Sequence, residues 1–210
     1  VASEDKSIKK MLQNTQDIIN EFYTLIGDTS DLSSNEVLKL VNKNYFEILR
    51  SKQWEFLKKE ATGSVSGTDI TQPTDFSNLL TENPKIYVGE KANEFMVIPF
   101  NDRRLYTNQN LIAYYDARQK KFVCTKTQDD TYSFDYIYMP EALDLVASTP
   151  VFPARFWGVL PFFMASDNDF IQLFEKARSY AAENRLRGEM ILSDLKMWND
   201  RITMMQTYGN

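Results

Sequence analysis

Apolar residues recur at helical spacing near both ends of this chain and at strand spacing between them, so a fold with one kind of secondary structure is excluded. From Ser7 to Ile26 the positions Ile8, Leu12, Thr15, Ile19, Phe22 and Ile26 step by four and three, with Met11, Ile18 and Leu25 widening the stripe. Only Thr15 is polar, and the pattern predicts an amphipathic helix stopped by Gly27. Ser33 and Glu36 have capping-box spacing before a second helix carrying Val37, Leu38, Val41, Tyr45, Ile48 and Leu49, with Trp54 near its end. Between Lys58 and Pro140 the period changes. After the turn-rich "GSVSGTDITQPTDF" come "KIYVGE", "EFMVIPF", "NLIAYYDA", "KKFVCTKT" and "TYSFDYIYM". The short connectors "KAN", "RQ" and "QDD" suit hairpins of an antiparallel sheet. In the last run Tyr132, Phe134, Tyr136 and Tyr138 share one face.

Helical spacing then returns. Pro150, Pro153 and Pro161 punctuate an aromatic stretch; they are expected to end the β region, start a short helix over 153–165 and break it before Asp167. Phe152, Phe156, Trp157, Leu160 and Phe163 are the expected core of this stretch. A final helix is predicted from Asp167 to Thr207. Its seam, Phe170, Phe174, Ala177, Ala181, Asn184, Gly188, Ile191, Leu195, Trp198, Ile202 and Met205, keeps a seven-residue repeat. Such a helix is about 60 Å long if continuous, more than its own core needs. The small residues in mid-seam suit close approach by the first two helices, and the Trp198 end is left for a partner or a neighbouring copy. The fold class expected is α+β: a helical bundle (1–58 and 141–210) with a long C-terminal helix and an inserted antiparallel β lobe (59–140).

Composition removes several chemistries. The 210 residues include no histidine and a single cysteine, Cys124. Histidine-dependent triads, most catalytic zinc sites and an intrachain disulfide are therefore excluded. Acids outnumber bases by 29 to 24, without a polybasic arm, so the footprint of a protein that grips nucleic acid is missing. The opening "VASEDKSIKK" has no apolar segment, and a secretory signal is not expected. The longest uncharged apolar run, 156–165, is too short to span a bilayer, so no membrane role is expected.

Phosphate-loop, dinucleotide, nucleophile-elbow and metalloprotease motifs are all absent. The acidic pairs Asp129/Asp130 and Asp167/Asp169 read as a hairpin turn and a helix start. No catalytic, cofactor or metal-ligating residue is assigned. An enzyme without histidine would need two carboxylates converging in a pocket, which spacing cannot reveal. The aromatic face with Trp54 also allows a carbohydrate- or ligand-binding platform as an alternative function.

The order of parts carries a resemblance. "KQWEFLKKEA" precedes "QPTDF"; "NLIAYYDARQKKFVCTK" leads into "YSFDYIYMPEAL"; "STPVFPARFWGVL" introduces a short helix and then a long charged one. In this order the chain resembles the head-to-tail connector, or adaptor, proteins of tailed bacteriophages, the group that includes the tubular tail protein of short-tailed phages. The matching fragments are Trp54, Phe56 and Leu57 before Pro73–Phe76, the aromatic strand Tyr132–Tyr138, and Pro150, Pro153 and Phe156 opening the next helix. The chain departs from that pattern in lacking a histidine near Phe156 and in its extra residues before "KIYVGE".

The resemblance implies a non-enzymatic virion protein of the neck, made in the host cytoplasm. It implies a homo-oligomeric ring, usually a dodecamer, that docks on the portal protein, continues the DNA channel and attaches a downstream tail or neck protein. DNA would pass without sequence-specific binding, which mild acidity suits. The residues expected at portal or neighbour contacts are Trp198, Ile202, Met205 and Tyr208, with Arg103, Arg104, Lys120 and Lys121 meeting partners from the β lobe.

Overall fold

The computed structural model describes residues 12–27, 32–80, 84–89, 93–106, 109, 111–145, 148–173 and 178–208. The chain divides into two units, Val1–Phe56 with Glu141–Asn210, and Leu57–Pro140.

The first unit is helical. α1 (Thr15–Ile26) starts where the Asn14 side chain accepts from the Asp17 amide at 2.9 Å, and it ends at Gly27 in the left-handed region, φ 68°. α2 (Ser34–Arg50) opens on the capping box, with Ser33 N donating to Glu36 at 2.9 Å and Glu36 N to the Ser33 hydroxyl at 3.3 Å. Thr15, the polar member of the α1 stripe, is fully buried, and its hydroxyl donates to the Ser148 carbonyl at 2.8 Å. That bond removes the cost of an orphan hydroxyl in the core. The Asn42 side chain clamps the backbone of Leu143, accepting from its amide at 2.7 Å and donating to its carbonyl at 2.9 Å.

Every residue of α3 (Val159–Ala165) is buried, and α1, α2 and α5 (Arg178–Tyr208) pack around it. Pro161 does not break this helix, as the sequence reading has it. It lies in the first turn, where a missing N–H costs nothing, and the helix runs on to Ala165. Between α3 and α5 comes α4 (Asn168–Leu173), capped by Asp167, whose carboxylate accepts from the Asp169 amide at 3.0 Å. Lys43 of α2 joins both acids, at 2.9 Å to Asp167 and 2.7 Å to Asp169. These hydrogen bonds, to Asp169 foremost, raise the Lys43 pKa above the usual lysine value. The resulting stabilisation is complete below that ordinary value and is lost as alkali strips the ammonium. Whether α4 and α5 are one continuous helix falls on 174–177, outside the described residues.

The small mid-seam of α5 meets α3, not α1 and α2. A Cβ on Gly188 would lie 2.6 Å from Phe163 Cδ1 and 3.4 Å from Phe162 Cβ, so the α3 rings occupy the space that the missing side chain leaves. Gly188→Ala is therefore expected to destabilise by about 1–3 kcal/mol, although alanine is the better helix former. Urea unfolding checks the sign: a stabilised variant would mean that Phe163 moves aside freely.

The second unit is a six-stranded sheet built around one long strand. β1 (Lys58–Thr71), β2 (Phe76–Leu79), β3 (Lys85–Val88), β4 (Asn93–Ile98) and β5 (Ile112–Asp116) precede β6 (Lys121–Tyr138), which pairs antiparallel with β1, β2, β3 and β5. β3 and β4 form a hairpin, whereas β4 and β5 run parallel, Met96 opposite Ile112 and Ile98 opposite Tyr114. The circuit β6, β3, β4, β5 returns to β6 and closes a four-stranded barrel.

This corrects the expected fold class. The chain is α+β, but its β portion is not an antiparallel lobe of hairpins on a helical bundle; it is a mixed sheet, closed over four strands, with five helices among the described residues. Two local features account for the difference. The link from Pro99 to Leu111 contains a 3₁₀ helix, Phe100–Tyr106, and is long enough for a crossover, which a parallel pair requires. "QDD" is not a turn: β6 runs through it, and the register shift is absorbed opposite, at Gly67 (φ 106°) of β1. The glycine- and threonine-rich stretch read as turn is itself most of β1.

Candidate interaction surface

The inward side chains of the second unit, among them Ile86, Val88, Phe95, Phe122, Cys124, Phe134 and Tyr136, fill the sheet interior. Phe122 meets Phe134 edge-on at 4.9 Å, and Phe76 meets Phe122 at 5.7 Å. Phe134 is 1% exposed and Tyr136 5%, so these two rings are core, whereas Tyr132 and Tyr138 at the ends of the row are half-buried. The Tyr136 hydroxyl donates to Asp75 at 2.8 Å, while Lys59 pairs with the other Asp75 oxygen at 2.7 Å. Burial, then that carboxylate, pushes the Tyr136 pKa up to about 12, and Lys59 holds Asp75 below the ordinary carboxylate value. Protonating Asp75 in acid, or ionising Tyr136 in alkali, weakens this contact, so its contribution is largest between those limits.

The four basic candidates of this unit are not equivalent. Arg103 lies 3.7 Å over the Phe100 ring and donates to the Phe100 carbonyl at 2.8 Å, so it fastens its own 3₁₀ turn. Arg104 beside it is exposed. Lys120 adopts φ 52° in the β5–β6 turn, where Asp116 accepts from the amides of Arg118 and Gln119. Lys121 opens β6 and pairs with Asp69, which lowers the Asp69 pKa.

The candidates on the last helix separate by face. Trp198 is half-buried, its ring 6.3 Å from Phe56 and 5.9 Å from Phe156. Ile202 is half-buried, and Met205 is 74% exposed. Tyr208 ends α5, with its side chain outside the described residues. The buried face of α5 carries Asn184, Gly188, Leu195 and Asn199; the Asn199 side chain accepts from the Glu55 amide at 2.7 Å. The opposite face carries a second apolar stripe that the sequence reading missed. Leu186, Met190, Met197 and Met204 follow one another at steps of four, seven and seven, and each is more than half exposed. That heptad spacing is visible in the sequence, but the longer seam on the other face drew the assignment.

Where the two faces meet, Arg155, Phe156, Asp194, Met197, Trp198 and Arg201 line a hollow of about 350 Å³. The Arg155 guanidinium lies 4.7 Å from the Phe156 ring and 5.5 Å from Trp198. Arg155 was not legible as a candidate, because tertiary folding alone brings it to α5. No model of a known protein family matches the chain, and no curated protein does.

Among the described residues no group of three His, Cys, Asp or Glu side chains is placed to hold a metal ion, and no helix is long and apolar enough to cross a membrane. Flexible, polarisable methionine side chains suit a protein partner's irregular surface.

Proposed function

We propose that this protein is a structural, non-enzymatic component of a phage virion: a head-to-tail connector, or adaptor, at the neck. Copies form a homo-oligomeric ring that docks on the portal protein, continues the DNA channel and attaches the next tail or neck protein. The observation that carries this reading is the exposed Leu186–Met190–Met197–Met204 stripe on a helix whose other face is already packed. Large apolar side chains repeated along one exposed helix face mark a place of contact. The ordered motifs described above supply the kind of partner, and an acidic chain suits a channel through which DNA slides.

Native mass of the purified protein, with and without a portal ring, tests it. A ring-sized mass, or one that appears when portal is added, is expected; a monomer that stays monomeric beside its portal would overturn the proposal. Met197→Asp with Met205→Asp is expected to leave the melting temperature nearly unchanged, since both side chains are exposed, and to weaken co-assembly about tenfold or more. Unchanged co-assembly would remove the helix surface from the interface. Trp198→Ala is a poorer probe because it also strips packing from Phe56 and Phe156.

A second reading rests on a different hollow, about 420 Å³, lined by Tyr87, Tyr132, Gly63 and the hydroxyls of Thr62, Ser64, Thr131 and Ser133. Aromatic rings beside hydroxyls suit a sugar. Glycan-array binding that disappears in Tyr132→Ala would favour it over the connector.

A further inference from the structure

Resting on the ring reading, we propose that neighbouring copies join by seating the Glu60–Asp135 pair of one copy in the Arg155–Trp198–Arg201 hollow of the next. A closed ring requires a head-to-tail contact, in which two different patches of the same chain complement each other. Among the described residues each patch carries an excess of one charge, and the two excesses are opposite in sign.

The hollow carries two guanidiniums against one carboxylate. Arg155 and Arg201 have no carboxylate partner among the described residues, and Asp194 is the only acid in its lining. Two other arginines of α5 are matched, Arg185 with Glu189 and Arg187 with Glu183, while Arg178 at its start is exposed and in no ion pair among the described residues. Trp198 repeats the pattern. The indole N–H groups of Trp54 and Trp157 donate to the carbonyls of Ile48 and Phe152, whereas that of Trp198 has no acceptor among the described residues. Two guanidiniums and an indole donor beside the apolar Phe156 and Met197 suit carboxylates, which accept charge-assisted hydrogen bonds from guanidinium groups.

The acidic patch lacks a cation. Glu60 of β1 stands directly opposite Asp135 of β6, both exposed and neither in an ion pair among the described residues. Like charges facing across two strands destabilise the pairing. In the same unit Asp69, Asp75 and Glu94 are each matched, by Lys121, Lys59 and Lys85, whereas Asp129 and Asp130 of β6 are, like this pair, in no ion pair among the described residues. Among the described residues β1 pairs only with β6, at the edge of the sheet, where another molecule can reach it.

Charge exchange tests the contact in the full-length chain, by sedimentation and native mass at low salt, with far-UV circular dichroism to verify folding. Glu60→Lys with Asp135→Lys is expected to weaken self-association about tenfold or more, and Arg155→Glu with Arg201→Glu to do the same. All four substitutions in one chain are expected to restore most of it, which general damage to either patch would not. The proposal fails if folded variants assemble like the wild type, or if the fourfold variant stays dissociated. It also fails if only the arginine reversals matter, which would assign the hollow to an acidic segment of another protein, such as the portal. A wild type that never forms a ring overturns the connector reading together with this contact, whereas a ring indifferent to the reversals overturns the contact alone.

Discussion

Trp54→Ala is expected to destabilise the helical unit by about 3–5 kcal/mol, seen as an earlier urea midpoint with an unchanged slope. Trp54 is fully buried, stacks on Phe56 at 5.3 Å and donates its indole N–H to the Ile48 carbonyl at 3.0 Å. The larger part of the loss comes from the cavity, because a closely packed interior relaxes only partly around a missing ring. The hydrogen bond contributes less. The Ile48 carbonyl also accepts from the Ser51 amide at 3.1 Å and hydroxyl at 2.7 Å, so losing the indole does not orphan it. Trp54→Phe should therefore cost only about 1 kcal/mol. Equal losses for alanine and phenylalanine would make the hydrogen bond the main contribution and contradict this argument.

In the β unit the largest expected effect is that of Phe134→Ala, also about 3–5 kcal/mol. Phe134 sits on the strand that joins four others, with the Phe122 ring at 4.9 Å and those of Tyr136 and Tyr132 at 6.0 and 6.1 Å. Cys124, the only cysteine, is buried in the same core, and burial pushes its thiol pKa up to about 11. The folded protein should accordingly resist thiol reagents near neutral pH, since the thiolate is the reactive species. Labelling of Cys124 then reports opening of this unit alone. Phe134→Ala should accelerate it in step with the lost stability, and an unchanged labelling rate would show that the barrel core closes over the missing ring.

Much of the helical unit was legible in the sequence. The α1 stripe, the Ser33–Glu36 box, the Gly27 stop and the Asp167 cap are local, and the interactions behind them span only a few residues of backbone. Thr15 was visible as an exception in its stripe, but its partner Ser148 is distant in the chain. The sheet was less legible for the same reason. The alternation over Tyr132–Tyr138 marked one face without naming its neighbours, and "QDD" and "GSVSGTD" carry turn residues inside paired strands. Tertiary pairing outweighed local propensity in both.

The candidate surface divides along the same line. The heptad spacing of Met190, Met197 and Met204 lies in the sequence, as does the want of histidine that removes a whole range of catalysis. Which of the two apolar faces of α5 is core was decided by α3, whose phenylalanines fill the space over Gly188 and leave the methionines outside. That Arg155 lies beside Trp198, and that Glu60 faces Asp135, was likewise decided by tertiary contacts. Periodicity is a property of a segment and can be read from the chain alone. Which faces become core, and which charges are left unmatched, depends on segments far apart in sequence competing for the same space.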